Sequence, residues 1–73
     1  MRDLPIRGES IRLGQALKLS GLAESGGEAR VLVEQGAVAV NGEVETRRGC
    51  QLRHGDVVAF GDEALRIVPE SAL

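Results

Sequence analysis

The chain has no tryptophan or tyrosine and only one phenylalanine, Phe60. Proteins that hold unpaired bases usually stack them on several aromatic side chains, so this way of binding single-stranded nucleic acid is excluded. The single cysteine, Cys50, cannot form an internal disulfide, which favours a reducing cytosol. With His54 it makes two Cys or His side chains, too few for a structural zinc site of about four ligands.

Long apolar runs are also missing. No run approaches the roughly 18 apolar residues that cross a bilayer, and the N-terminus "MRDLPIRGE" lacks the apolar segment of a secretory signal. We therefore expect an intracellular, cytoplasmic protein. Its 73 residues predict one domain, residues 1–73, with a small core that buries about 60% of the unfolded surface. No nucleotide-binding P-loop is present and no cofactor is expected.

The charge is slightly negative overall but unevenly placed. The formal net charge is −2. Residues 1–20 carry four basic and two acidic side chains, whereas residues 57–73 carry one basic and three acidic ones. An acidic total argues against general nucleic-acid binding, so any such role must come from local clusters of basic residues.

Two short helices are predicted in the first half. In "SIRLGQALKLSGL", Leu13, Ala16 and Leu17 recur at helical spacing, which predicts an amphipathic helix over residues 11–19. In "ESGGEARVLVEQG", Ser25 and Glu28 fit a capping box, so a second helix is predicted to begin there. Its apolar stripe is Ala29, Leu32 and Val33, and Arg30 and Glu34 are spaced to pair on the exposed side.

In the second half, the sequence pattern changes to a period of two, which predicts strands. "AVAV" and "EVET" flank Asn41-Gly42, the dipeptide preferred in a type I′ hairpin turn. "VVAF" and "EALRIV" predict two further strands that end at Pro69, and "LPIR" is a candidate edge strand. The predicted fold class is α+β, with two short helices packed on a small antiparallel sheet.

Several residues are suited to binding phosphate. Gly26 and Gly27 begin the second helix, where free N–H groups and missing side chains let an anion approach, although a flexible lead-in to the helix is the alternative reading. Arginine has the planar fork that matches phosphate, and Arg47 and Arg48 follow the hairpin. The candidate binding residues are Arg12, Lys18, Gly26, Gly27, Arg30, Arg47, Arg48 and Arg53.

Together these motifs are similar to a known family. "IRLGQALKLSGL", "SGGEARVLVEQG", "AVAVNGEVETRRG" and "LRHGDVVAF" resemble, over residues 11–60, the RNA-binding domain of the ribosomal small-subunit protein S-four type, also called the alpha-L motif. "LKLSGL", "SGGEA" and "VNGEVETRRG" are closest to its short stand-alone bacterial members. The resemblance implies non-catalytic binding of structured RNA, of the ribosomal or transfer RNA class, in translation.

The resemblance also aligns single residues. Arg12 matches the arginine that opens the family's first helix, and Arg47 with Arg48 matches the "ETRR" element of the stand-alone members. The chain departs from the larger superfamily at Gly14, where Asp is frequent, and at Gly26, where Arg is frequent. A backbone contact at Gly26 and Gly27 is then expected to replace the arginine's phosphate contact.

Three other functions remain open from the sequence, and one of them is binding of a DNA duplex in place of RNA. A protein-interaction adaptor could dock on a ribosomal or RNA-processing partner through Asp62, Glu63 and Glu70 on the acidic C-terminal side. An enzyme would have to use Cys50 and His54, the single candidate nucleophile and the single candidate base, without a clear third partner. We therefore expect no catalytic activity and no metal.

Overall fold

The computed structural model describes residues 1–72, and Leu73, the last residue of the predicted domain, lies outside the described residues. Helix α1 spans Leu13–Leu19 and helix α2 spans Gly26–Glu34. The strands, in chain order, are β1 Arg2–Ile6, β2 Ser10–Arg12, β3 Val38–Val40, β4 Glu43–Val44, β5 Gln51–Arg53, β6 Val57–Phe60 and β7 Glu63–Pro69. A single 3-10 turn, Glu70–Ala72, follows β7.

The main sheet has five strands in the order β1-β7-β6-β3-β4, and β2 and β5 form a separate two-stranded ribbon. The predicted α+β class with two helices on a mostly antiparallel sheet is confirmed. The sheet is mixed because β1 pairs with β7 in parallel. β1 is an edge strand, a position that tolerates Pro5 because one side of an edge strand needs no ladder hydrogen bonds.

The core lies between the helices and the sheet. On α1, Leu13, Ala16 and Leu17 are fully buried. On α2, Ala29 and Val33 are buried as predicted, while Leu32 is half-buried against the same core. The sheet contributes Val38, Val58, Leu65 and Ile67. Burial of these two apolar stripes is the main force that holds the helix pair in place.

Helix α1 begins two residues later than predicted. Ile11 and Arg12 belong to β2, where Ile11 lies opposite Leu52 of β5. The helical periodicity of the sequence continues into these residues, but pairing with a strand about 40 residues later in the chain gives them extended backbone instead. Arg12 is the N-cap of α1, with φ −77° and ψ 147°.

Helix α2 starts where its capping sequence predicts. Ser25 is the N-cap, and its hydroxyl accepts a hydrogen bond from the Glu28 N–H at 3.1 Å. Among the described residues, the reciprocal bond from the Glu28 carboxylate to Ser25 is not formed, so half of the predicted capping box is present. Arg30 and Glu34 pair at 3.2 Å as expected.

The hairpin turn is confirmed, with φ 52° at Asn41 and φ 87° at Gly42. These positive angles are those a type I′ turn requires. The Asn41 side chain also leaves the turn: its Nδ2 donates to Asp56 Oδ1 at 3.1 Å, and its Oδ1 accepts from the Val57 N–H at 2.9 Å. One residue therefore shapes the hairpin and ties it to the start of β6.

Candidate nucleic-acid interface

A groove of about 340 Å³ lies between one side of α1, the start of α2 and the loop after β4. We call it the cationic groove. The lining residues are Arg12, Gly14, Gln15, Lys18, Gly26, Arg48 and Gly49. Three of the seven are basic and none is acidic.

Helix α1 supplies one wall of the groove. Arg12, Gln15 and Lys18 follow each other at intervals of three residues, which places them on one side of a helix. All three are exposed. The buried stripe of α1 faces away from this side, so the same periodicity that forms the core also presents the polar wall.

The loop after β4 is fixed against the start of α1 by backbone hydrogen bonds. The Gly14 N–H donates to the Arg48 carbonyl at 2.9 Å, and the Leu13 N–H donates to the Cys50 carbonyl at 2.8 Å. The first two N–H groups of a helix have no partner within the helix, and here the loop supplies the acceptors. Arg48 is therefore positioned beside Arg12 and Lys18 by the main chain.

The three basic side chains of the groove carry charge that the protein leaves available. Within residues 1–72, no carboxylate lies within 4.0 Å of the charged groups of Arg12, Lys18 or Arg48. Three cations on one concave surface create a local positive potential despite the negative net charge.

The other predicted residues lie off the groove. Arg30 pairs with Glu34, and Arg47 pairs with Glu45, each at 3.2 Å. Arg53 is exposed on β5, and Gly27 is not one of the lining residues. The structure thus brings together Arg12, Lys18, Gly26 and Arg48 from the predicted set.

Three lining residues were not predicted as site residues. Gln15 had a signal in the sequence, since it lies midway between Arg12 and Lys18 at the same spacing. Gly14 and Gly49 had no such signal, because their place depends on how the loop docks on α1.

Glu45, which is not a lining residue of the groove, organises the loop. Its Oε2 accepts from the Arg47 N–H at 3.0 Å and from Arg47 Nε at 3.2 Å. These hydrogen bonds lower the pKa of Glu45 below its ordinary value and raise the pKa of Arg47. Its side chain is only 18% exposed, so Glu45 holds Arg47 from within the loop.

Cys50 and His54, the two candidate catalytic residues, contact the core and the backbone rather than each other. Cys50 is half-buried against the core, and burial raises the pKa of its thiol, which disfavours the reactive thiolate. His54 Nε2 lies 2.9 Å from the Gly8 carbonyl oxygen. Among the described residues, no hydrogen bond joins Cys50 to His54.

Two further features bear on function. In the part of the chain that the structure describes, no group of three or more His, Cys, Asp or Glu side chains is arranged to hold a metal ion. Neither described helix is long and apolar enough to cross a membrane.

Comparison with known proteins adds independent evidence. A model of the S4 domain family matches residues 4–68. YbcJ of Escherichia coli, whose name describes an RNA-binding protein, is 38% identical over 58 residues, which cover 80% of this chain and 83% of YbcJ. RlbA of Bacillus subtilis, whose name describes a ribosome maturation protein, is 48% identical over 50 residues, covering 68% of this chain and 70% of RlbA.

Solved structures agree with the sequence comparisons. The solution structure of Escherichia coli YbcJ, described as having an alpha-L motif involved in RNA binding, superimposes with a TM-score of 0.64 and 34% identity, over 92% of this chain and 84% of that one. The ribosomal protein S4e of Thermoplasma acidophilum has a TM-score of 0.62 over 82% of this chain and 32% of that one. At 23% identity, that second likeness shows a shared fold.

Proposed function

The chain belongs to the S4 domain family, and we propose that it binds structured RNA through the cationic groove without catalysing a reaction on it. The observation that carries this proposal is that Arg12, Lys18 and Arg48 line one groove and, among residues 1–72, have no carboxylate within 4.0 Å of their charged groups. Guanidinium and ammonium groups in such a place are suited to neutralise the phosphates of a polyanion.

The expected ligand is folded RNA, read mainly by shape. The one aromatic residue, Phe60, is half-buried and packs against the core, so unpaired bases have no stacking platform on the described surface. The deep major groove of A-form RNA does not admit side chains, and proteins grip such helices through phosphates and 2′-hydroxyls. Sequence preference should therefore be modest.

Ribosomal or transfer RNA is the proposed class of ligand. The two relatives described above are named as an RNA-binding protein and a ribosome maturation protein. The same relatives favour a role in translation in the bacterial cytoplasm, where these RNAs are abundant.

The adaptor function is less well supported by the geometry. Glu63 begins β7 and Glu70 follows its end, so the other six residues of the strand lie between them, about 23 Å at roughly 3.3 Å per residue. Glu70 also pairs with Arg7 at 3.3 Å. Glu63 and Glu70 therefore lie at opposite ends of β7, and Glu70 already has a cation partner.

The test is a titration against purified bacterial transfer RNA and a ribosomal RNA helix over a range of salt concentrations. If three phosphates are neutralised, log affinity should fall against log salt with a slope of about −2 to −3. Replacing the groove cations, as Arg12→Gln, Lys18→Gln and Arg48→Gln together, should remove most of this slope and most of the affinity.

A matched control changes cations that lie off the groove. Arg30→Gln, Arg47→Gln and Arg53→Gln together also remove three positive charges, all from residues outside the groove and two of them from side chains that have carboxylate partners. This variant should keep nearly the wild-type affinity. Equal losses in the two variants, or binding without salt dependence, would contradict the proposal.

A further inference from the structure

The glycines of this chain fall into two groups, those with a positive φ angle and those without. The sequence has ten glycines, and six of them adopt positive φ, which explains their identity. The other four are Gly14, Gly26, Gly27 and Gly49, whose backbone any L-amino acid could adopt. Three of these four line the cationic groove.

Packing within the protein does not explain Gly26 and Gly49. A Cβ atom built at either position would have no described atom within 4 Å outside its immediate neighbours. Gly26 also occupies the first turn of α2, where glycine is a poorer helix former than alanine. Both glycines keep open a space that a side chain would otherwise occupy, and that space is the groove.

Gln15 gives the groove a group of a different kind. It lies between Arg12 and Lys18, it is exposed, and within residues 1–72 its carboxamide makes no hydrogen bond. Arginine and lysine only donate hydrogen bonds, whereas a carboxamide both donates and accepts. The 2′-hydroxyl of ribose also does both, and it is the group that distinguishes RNA from DNA.

We propose that the cationic groove holds one ribose-phosphate unit of the RNA at contact distance from Gly26 and Gly49, with the Gln15 carboxamide hydrogen-bonded to its 2′-hydroxyl. The three cations would then hold the phosphates on either side of that ribose. Gln15 thereby makes the site selective for RNA, a property that the cations alone do not confer. This inference rests on the proposed function and concerns the same groove.

The test compares an RNA hairpin with the same hairpin carrying 2′-fluoro groups, which retain the A-form helix but cannot donate a hydrogen bond. The wild-type protein should bind the unmodified hairpin about three- to tenfold more tightly, the range expected for one neutral hydrogen bond. Gln15→Ala should bind the two hairpins equally. If Gln15→Ala keeps the wild-type preference, the assigned role of Gln15 is overturned.

The glycine walls are tested with Gly26→Ala and Gly49→Ala. Each should lower affinity for both hairpins about tenfold, because the added methyl group enters the groove and crowds the ribose. The melting temperature should stay at or above that of the wild type, because the methyl group meets no described atom at either position and alanine favours the helix at Gly26. Gly27→Ala is the matched control: its Cβ would lie 3.8 Å from Ser25 Oγ, an ordinary contact, and outside the groove. If Gly26→Ala and Gly49→Ala both bind RNA with wild-type affinity, the proposed contact between these glycines and the ribose is overturned.

The outcomes also separate the inference from the proposed function. Salt-dependent binding of both hairpins with equal affinity by the wild type would overturn the role of the 2′-hydroxyl and leave RNA binding intact. If the wild type binds neither hairpin at any salt concentration, both proposals fail together.

Discussion

Arg47 and Arg48 are adjacent in the sequence, but one has a carboxylate partner and the other lines a groove without one. Arg47 lies on the side of the loop where Glu45 binds its guanidinium and its backbone N–H. The carbonyl of Arg48 accepts from the Gly14 N–H, and Arg48 is one of the residues that line the cationic groove. This difference shows that the fold, rather than the neighbouring residues in the sequence, decides whether a basic side chain has a carboxylate partner or is available to a ligand.

Arg12 and Arg30 repeat this difference on the helices. Arg30 has Glu34 one turn further along α2, and the two side chains pair on the helix surface. Arg12 precedes α1, a helix that carries no acidic residue from Leu13 to Leu19. The paired region therefore carries little free charge, while the groove retains the charge of each of its cations.

Reversing the charge of one arginine in each region should give the largest difference in RNA affinity between two variants. Arg48→Glu puts a carboxylate beside Arg12 and Lys18 and should weaken RNA binding by at least about tenfold, or about 1.4 kcal/mol. Arg47→Glu makes the same chemical change one residue earlier and should weaken binding by no more than about threefold, mainly through long-range repulsion. The measurement is a titration of transfer RNA at moderate salt concentration.

Both variants leave the docking of the loop on α1 intact, because those bonds come from the backbone of Arg48 and Cys50. Arg47→Glu also loses the side-chain bond to Glu45 and brings two carboxylates together, so its melting temperature should be the lower of the two, and affinities are compared per folded protein. An equal loss of affinity in the two variants would show that the groove does not differ from the rest of the surface.

The hairpin turn supports both regions, and disturbing it should separate folding effects from charge effects. Asn41→Ala loses the two side-chain hydrogen bonds of Asn41. It also places alanine at φ 52°, a backbone conformation that asparagine tolerates better because its side chain forms local hydrogen bonds. We expect a loss of about 1–3 kcal/mol in the free energy of unfolding, measured by urea denaturation.

Asn41→Gly is the matched variant for the turn. It keeps the backbone free to adopt positive φ but still loses the bonds to Asp56 and Val57, so its loss should be smaller than that of Asn41→Ala. RNA affinity of the folded protein should be unchanged in both. A change in affinity that exceeds the change in folded fraction would mean that the turn itself contacts RNA.

Much of the fold could be predicted because its signals are local. The periodicity of Leu13, Ala16 and Leu17, the cap at Ser25 and the Asn41-Gly42 turn each depend on a few neighbouring residues, and all three were confirmed. The start of α1 was wrong by two residues, and the parallel pairing of β1 was not predicted. Both depend on strands that are distant in sequence, β5 and β7, which periodicity does not reveal.

The candidate site was predictable only in outline. The sequence identified Arg12, Lys18 and Arg48 as basic residues near the helix pair, but it could not say which arginines have a carboxylate partner. The Arg30 pairing follows from helical spacing, whereas the Arg47 pairing needs the turn geometry of the loop. The place of Gly49 in the groove depends on the same loop geometry.

Acid should weaken the paired region through Glu45. Arg47 lowers the folded-state pKa of Glu45, so the carboxylate contributes stability above its ordinary pKa of about 4.3, and this contribution is lost as the pH falls through the lower folded value. Urea denaturation of the wild type, Glu45→Gln, Arg47→Gln and the double variant should show coupling between the two sites at pH 7. At pH 3 the coupling should be smaller, and a coupling that is unchanged between these two conditions would contradict the assignment.

The smallest effect is expected when a paired cation is set free. Glu34→Gln removes the partner of Arg30, an exposed pair that stabilises a helix by only about 0.3–0.5 kcal/mol. Because Arg30 does not line the groove, the affinity for transfer RNA should rise by less than about twofold. Glu63→Gln is the control for net charge, since it removes one negative charge from the start of β7, and it should raise affinity to the same degree. A tenfold gain in Glu34→Gln alone would place Arg30 on the RNA and extend the binding surface beyond the cationic groove along α2.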